Sequence, residues 1–180
     1  MRKELNGILI FVGLIWGVYL IDLILPWAFT DWGVTPRTMS GLVGVITMPF
    51  LHWSFGHVVS NTIPLVVLLL LLFGSRTRPV LIVVLLILIS GTLLWIFGRS
   101  SVHVGASGLI YSMTAFLITT GLMERKPVPL ATAIVVGVLY GGTLIWGLLP
   151  SVEKDVSWES HALGAAGGAC LAWAIVRRKR

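Results

Sequence analysis

Residues 57–97 read HVVSNTIPLVVLLLLLFGSRTRPVLIVVLLILISGTLLWIF, and this stretch decides the fold. It holds two apolar runs, 57–74 and 79–97, with Arg76 and Arg78 between them. A helix needs about 20 apolar residues to cross the ~30 Å hydrocarbon core of a bilayer. Both runs approach that length, so the stretch predicts two membrane-spanning helices joined by a short basic loop.

The same pattern continues on both sides of this stretch and predicts four more spans, at residues 7–26, 107–123, 128–149 and 159–176. The composition agrees, because 57% of the chain is hydrophobic and only 11% is charged, whereas soluble domains are about 25% charged. We therefore predict an all-α membrane protein of six transmembrane helices, a single domain over residues 1–180 embedded in the lipid bilayer.

A long, aromatic first loop separates the first two predicted spans. Its apolar segment, residues 41–51, is too short to cross a membrane. Aromatic side chains are enriched where a membrane meets water. The density of Trp and Phe over residues 27–55 therefore indicates a segment that lies at the membrane interface.

The basic residues predict the orientation of the bundle. The net charge of +6 could suggest a nucleic-acid partner, but the basic residues cluster between apolar runs, which is typical of membrane topology signals and argues against nucleic acid. With a cytoplasmic N-terminus, ten of the thirteen Lys and Arg residues face the cytoplasm. They are Arg2, Lys3, Arg76, Arg78, Arg125, Lys126, Arg177, Arg178, Lys179 and Arg180. Arg37, Arg99 and Lys154 fall outside, so both termini are predicted to be cytoplasmic.

Three polar residues are predicted to lie at one depth in the membrane. Asn61, Ser107 and His161 stand near the outer ends of the second, fourth and sixth spans, which run in the same direction. Each precedes the charged cytoplasmic end of its helix by about 15–17 residues, or roughly 22–26 Å at 1.5 Å per residue. Polar groups inside spans are costly, so a shared layer of them indicates a functional site.

The residue types in this layer suit acyl transfer. Ser107 needs a base to become a nucleophile, and His161 is the best-placed candidate. Glu159, the carboxylate nearest to His161 in sequence, is expected at the surface, which favours a Ser–His dyad over a triad. His57 and Asn61 share a helix face, and with the Ser107 amide they could donate hydrogen bonds to an oxyanion.

Small residues and one tyrosine support the predicted dyad. Gly105 and Gly108 let the backbone turn sharply around the nucleophile. Gly164 and Gly168 continue one face of the sixth span below His161, and such a stripe permits close approach of another helix. Tyr111 lies one turn after Ser107 and could stack on the imidazole.

These residues resemble the rhomboid family of intramembrane serine proteases. The resemblance rests on His57-x-x-x-Asn61, on Gly105-Ala106-Ser107-Gly108 with Tyr111, and on His161-x-x-Gly164-x-x-x-Gly168. It implies a six-helix bundle with a water-filled cavity open to the outside, and cleavage of a peptide bond in or near a substrate's transmembrane helix. It also implies that the fifth span and the loop at 150–158 act as gate and cap. No cofactor or metal is implied.

Two positions depart from the family pattern. A Trp-Arg pair is common in the first loop of the family, whereas this chain has only Pro36-Arg37, further from His52. Ser160 precedes the base where alanine is usual. The resemblance makes His52 a structural hydrogen-bonding residue, and it gives His103 no role.

Other function classes fit the sequence less well. Four histidines could suggest a metal site, but there is no His-Glu-x-x-His motif. A channel or transporter is disfavoured because no internal repeat is visible. A catalytically inactive relative that binds transmembrane clients is the main alternative, although such proteins usually lack the Ser or the His. We predict a protease in the plasma membrane of a prokaryote, with its active site facing outward; its substrate and oligomeric state stay open.

Overall fold

The computed structural model describes residues 2–25, 28–150 and 157–178, which fold into seven α-helices. These are α1 (Arg2–Ile24), α2 (Gly41–Thr47), α3 (Phe55–Ser75), α4 (Pro79–Phe97), α5 (Ser107–Glu124), α6 (Pro127–Gly147) and α7 (Trp158–Arg177). The six long helices coincide closely with the six apolar runs. Most of the predicted cap, including Lys154, lies outside the described residues, as do Lys179 and Arg180 of the predicted cytoplasmic end.

Four of the helices are long and apolar enough to cross a membrane: α1 from Glu4, α3, α4 and α6. The helices that carry Ser107 and His161, α5 and α7, are less apolar because Ser, Thr, Gly and Ala replace part of their large aliphatic residues. Most of α5 is buried against protein. A helix surrounded by other helices does not need the apolarity of one that faces lipid.

The most extensive helix pair in the described structure is α5 against α7. A methyl group on Gly164 would overlap the carbonyl oxygen of Gly108, and one on Gly168 would overlap that of Ser112. The backbones therefore touch along this seam, as the small-residue stripe suggested.

The helix α6 is packed unevenly along its length. Near its start, a methyl group on Gly121 of α5 would overlap the Pro129 carbonyl and the Ala133 side chain, so α5 and α6 are in close contact there. Towards its other end, Gly137 and Gly141 face open space. The middle of α6 is therefore loosely packed, whereas its last turn touches α5, since a methyl group on Gly147 would overlap the Tyr111 side chain.

The first loop folds onto α4 and the loop that precedes α5. The helix α2 lies where a methyl group on Gly91 of α4 would come 2.7 Å from the Val45 carbonyl oxygen. Arg37, with φ of 60°, donates a side-chain hydrogen bond to the Gly98 carbonyl at 2.8 Å. Val34 and His103 exchange two backbone hydrogen bonds of 2.9 Å. Arg37 therefore anchors loop 1 to the end of α4.

Candidate active site

A cavity of about 790 Å³ brings the predicted polar residues together. Side chains from α3, α5, α6 and α7 and from the loops before α3, α5 and α7 line it. Among them are all five polar residues singled out in the sequence: His57, Asn61, Ser107, Tyr111 and His161. The cavity wall thus combines a hydroxyl, two imidazoles, an amide and a phenol.

The His161 ring is held by two neighbours from different helices. It stacks on Tyr111 of α5 with ring centroids 4.1 Å apart and an angle of 3° between the rings. Its Nδ1 lies 3.0 Å from the carbonyl oxygen of Gly147, the last residue of α6. A carbonyl only accepts hydrogen bonds, so Nδ1 carries the proton and the lone pair of Nε2 is left to act as a base.

Tyr111 is itself tied to α6. Its hydroxyl donates a 2.8 Å hydrogen bond to the carbonyl oxygen of Thr143. Thr143 and Gly147 lie one turn apart on α6, so each ring of the stacked pair has its own backbone acceptor on that helix. These carbonyls are backbone groups, and no side-chain pattern in the sequence could have pointed to them.

Ser107 is the first residue of α5. Its amide lies in the first helical turn, where N–H groups have no partner within the helix. The preceding turn is set by Gly105, whose φ of +112° favours glycine. Among the described residues, no hydrogen bond joins Ser107 to His161, although both line the same cavity.

His57 and Asn61 occupy the opposite wall on α3. The His57 ring lies against Gly105, where a methyl group would come 2.6 Å from Nε2. The Asn61 side-chain nitrogen donates one hydrogen bond, of 2.9 Å, to the His57 carbonyl. An amide NH₂ has two donors, so one remains for a ligand in the cavity.

His52 makes weaker polar contacts than the expectation of a structural hydrogen-bonding residue implies. It is buried, and neither ring nitrogen makes a well-formed hydrogen bond within the described structure, although a weaker backbone contact with Phe50 partly opposes the lowering of its pKa. Its ring instead packs edge-on against His57, with centroids 4.8 Å apart. Burial, and to a lesser degree the neighbouring His57, lower the pKa of His52 from 6.5 to about 4.

Glu159 is not at the surface, contrary to the sequence-based expectation. It is buried, and Arg99 from the loop after α4 reaches it, with Nε 3.4 Å from Oε1. The ion pair compensates one oxygen of this carboxylate, whereas Oε2 has no hydrogen-bond partner within the described structure. The Nδ1 atom of His161, where a triad would hold a carboxylate, faces the Gly147 carbonyl instead.

The departure at Ser160 is accommodated within the same turn. The Ser160 hydroxyl donates a 3.0 Å hydrogen bond to the carbonyl oxygen of Ser157, the N-cap of α7. A serine therefore takes the place of alanine without leaving a buried hydroxyl unsatisfied.

Comparison with known proteins decides the family. A family model described as "Rhomboid domain" matches residues 40–178, which include α3 to α7 and every residue of the cavity named above. The chain belongs to the rhomboid family. Rhomboids are generally intramembrane serine proteases, so the motifs and the family agree on the class of protein.

Relatives of this rhomboid occur in mycobacteria. An uncharacterized protein of Mycobacterium tuberculosis and one of Mycobacterium bovis are each 35% identical to it. Each alignment covers 96% of this chain and 75% of the relative. An uncharacterized protein of Mycobacterium leprae is 31% identical, over 96% of this chain and 72% of its own length. The rhomboid is thus a multi-pass membrane protein with bacterial relatives.

Proposed function

We propose that this rhomboid is an intramembrane serine endopeptidase that cleaves transmembrane segments of membrane proteins with a Ser107–His161 dyad. The observation that carries the proposal is the state of His161. Its Nδ1–H is committed to the Gly147 carbonyl, so a neutral Nε2 is available in the cavity that Ser107 also lines. A nucleophile with a neighbouring oriented base is the arrangement that covalent hydrolysis requires.

The proposed reaction proceeds in two steps. Ser107 Oγ bonds to the scissile carbonyl carbon while its proton moves to His161 Nε2. The C–N bond then breaks, and the leaving amine takes that proton, which leaves an acyl ester on Ser107. Water attacks the ester with His161 as base, and the carboxylate product and free Ser107 result.

The proposed oxyanion donors are the Ser107 amide, the free N–H of Asn61 and the His57 ring. Donors already held in place cost little reorganisation when charge develops on the carbonyl oxygen. The hydrogen bond from Asn61 to the His57 carbonyl restrains the Asn61 amide, and Gly105 leaves room for the imidazole of His57.

The proposed topology has six spans, both termini in the cytoplasm and the active site towards the outer face of a prokaryotic plasma membrane. The fifth span, α6, is the proposed gate for a substrate helix, and the loop over 150–158 is the proposed cap. The open space beside Gly137 and Gly141 supports this role for α6. No cofactor or metal takes part in the proposed reaction.

The test is cleavage of a single-pass transmembrane substrate by purified protein in liposomes, with and without a metal chelator. Ser107→Ala and His161→Ala are each expected to lower the rate by at least about a thousandfold, because the dyad acts as a unit. Ser112→Ala is the matched control: it removes a buried hydroxyl of α5 that has no partner within the described structure. Cleavage that survives Ser107→Ala, or that the chelator abolishes, would contradict the proposal.

One observation favours a second candidate, an inactive relative that binds transmembrane clients. No hydrogen bond joins Ser107 to His161 among the residues that the structure describes. If the wild type cleaves no substrate but retains a transmembrane helix as a stable complex, this alternative replaces the protease.

A further inference from the structure

His103 is a buried histidine that the proposed reaction does not use. It lies in the loop between α4 and α5, is 2% exposed, and both ring nitrogens are engaged. Nε2 is 3.0 Å from the Arg99 carbonyl oxygen, and Nδ1 is 2.7 Å from Ser157 Oγ. Its backbone is paired with Val34 in both directions. One side chain therefore links the loop before the nucleophile to the start of α7.

The partners fix the direction of these hydrogen bonds. Nε2 also lies 3.2 Å from Ser101 Oγ, a hydroxyl that can donate or accept. Because the Arg99 carbonyl only accepts, Nε2 carries the proton, the Ser101 hydroxyl can accept beside the carbonyl, and Nδ1 is the acceptor. Ser157 must then donate its hydroxyl proton to Nδ1. Burial lowers the pKa of His103, which favours the neutral ring that this arrangement needs.

Ser157 passes this restraint on to the first turn of α7. Its oxygen accepts the Ser160 amide at 3.3 Å as the N-cap of the helix. Its carbonyl accepts the amides of Ser160 and His161 at 3.0 and 3.4 Å. Because His161 lies one helical turn after Ser157, the orientation of the cap and that of the base are coupled.

We propose that His103 is a positioning residue for His161: by accepting the Ser157 hydroxyl it fixes the N-cap of α7 and with it the place of the catalytic base. The inference rests on the proposed function of His161. The Arg99–Glu159 ion pair joins the same loop to the same helical turn, so the contact between His103 and Ser157 is supported by a second, charged contact.

Two substitutions separate this role from simple packing. The Asn Oδ1 is bonded to Cγ, as Nδ1 of the ring is, so His103→Asn retains an acceptor for Ser157. The amide of Gln reaches one bond further, as Nε2 does, so His103→Gln retains the donor to Arg99 but loses the acceptor. We expect kcat to fall about 10- to 100-fold in His103→Gln and less than about threefold in His103→Asn. KM should stay within about twofold in both.

The second readout is backbone hydrogen exchange over residues 157–161. Exchange should accelerate in His103→Gln and in Ser157→Ala, but not in His103→Asn. The double variant His103→Gln/Ser157→Ala should lose no more kcat than Ser157→Ala alone, because that substitution already removes the contact that His103→Gln breaks. Thermal unfolding of each variant checks that the bundle is folded. We expect the variants at position 103 to fold, because the backbone pairing with Val34 does not depend on the side chain of residue 103.

The outcomes are distinguishable. If His103→Gln performs as well as or better than the smaller His103→Asn, the side chain only fills space and the inference is overturned. The same holds if the double variant loses the product of the two single effects. If the wild type cleaves no substrate, or cleaves it at the same rate as Ser107→Ala, the proposed function fails. The contact between His103 and Ser157 is then still tested by the exchange measurement.

Discussion

Two contacts of different kinds fix the orientation and the protonated nitrogen of the His161 ring. A base must present a lone pair in a fixed direction, and an imidazole on a helix can rotate about two bonds. Stacking on Tyr111 fixes the plane of the ring, and the hydrogen bond to Gly147 fixes which nitrogen is protonated. Neither contact requires a charged partner, which is useful where charges are costly to bury.

Burial of His52 is expected to make the stability of the folded protein depend on pH. Its pKa is lowered from 6.5 to about 4, so between these values the unfolded chain binds a proton that the folded chain excludes. The unfolded state is therefore favoured as the pH falls from 6.5 to 4, at a cost of up to about 3 kcal/mol. Above pH 6.5 this contribution is constant. Thermal unfolding in detergent across this range should show a declining midpoint in the wild type.

The matched variant is His52→Gln, which cannot titrate. Its midpoint should decline less between pH 6.5 and 4, because one group that takes up a proton in this range is removed; the other titratable groups still contribute, among them His103, whose pKa burial also lowers. A decline as steep as that of the wild type would show that His52 is not the group responsible.

For individual residues, the sequence predicts which side chains belong to the candidate site better than it predicts which groups they contact. Ser107, Tyr111 and His161 could be found because helical spacing and span direction put them at one depth. The Gly147 carbonyl could not be found, since every residue has a carbonyl and only the tertiary fold selects one. The burial of Glu159 was missed for a similar reason: its partner, Arg99, is 60 positions away in the chain.

Among the elements, the packing of α5 against α7 depends on glycines, which have no side chain to hold the two backbones apart. Lipid provides little hydrophobic force between helices, so close packing has to stabilise the pair. The seam at Gly164 and Gly168 brings α7 into contact with the backbone of α5. Ser107 and His161 stand at the same end of this seam, so the contact that stabilises the helix pair also sets the distance between the proposed nucleophile and the proposed base.

This seam predicts a contrast between glycines. Gly164→Ala and Gly168→Ala place a methyl group against a carbonyl of α5 and should each destabilise the protein by about 1–3 kcal/mol. Gly137→Ala and Gly141→Ala on α6 are the matched controls, because their methyl groups enter open space. They should change stability by less than about 1 kcal/mol. Unfolding in mixed detergent micelles measures all four; equal effects at both sets of positions would contradict the seam.

Hydropathy located the six long helices but could not describe the first loop. The short helix α2 lies in a segment expected only to rest at the membrane interface. Its position depends on Gly91 and on the anchor at Arg37, both of which are contacts distant in sequence. The packing of α5 and α7, by contrast, could be predicted from the sequence. Their content of Gly, Ala, Ser and Thr is typical of helices that pack against protein.

In the whole molecule, the cavity connects the packing of the helices to the proposed chemistry. Its walls come from helices that the chain visits in turn, and α6 closes it by contacting both rings of the Tyr111–His161 pair. The loose packing of α6 beside Gly137 and Gly141 fits the gate role proposed for it. The same helix supplies the Gly147 carbonyl that orients His161, the proposed base, so the position of α6 seen here is also the one that the proposed reaction needs.

The most direct measurement is covalent labelling of the purified protein in liposomes with a fluorophosphonate, read by peptide mass spectrometry. Such a probe reacts with an activated serine and needs no substrate helix. We expect one adduct, on Ser107, whose rate of formation falls at least about a hundredfold in His161→Ala. An adduct on another serine, or on Ser107 at the same rate without His161, would contradict it.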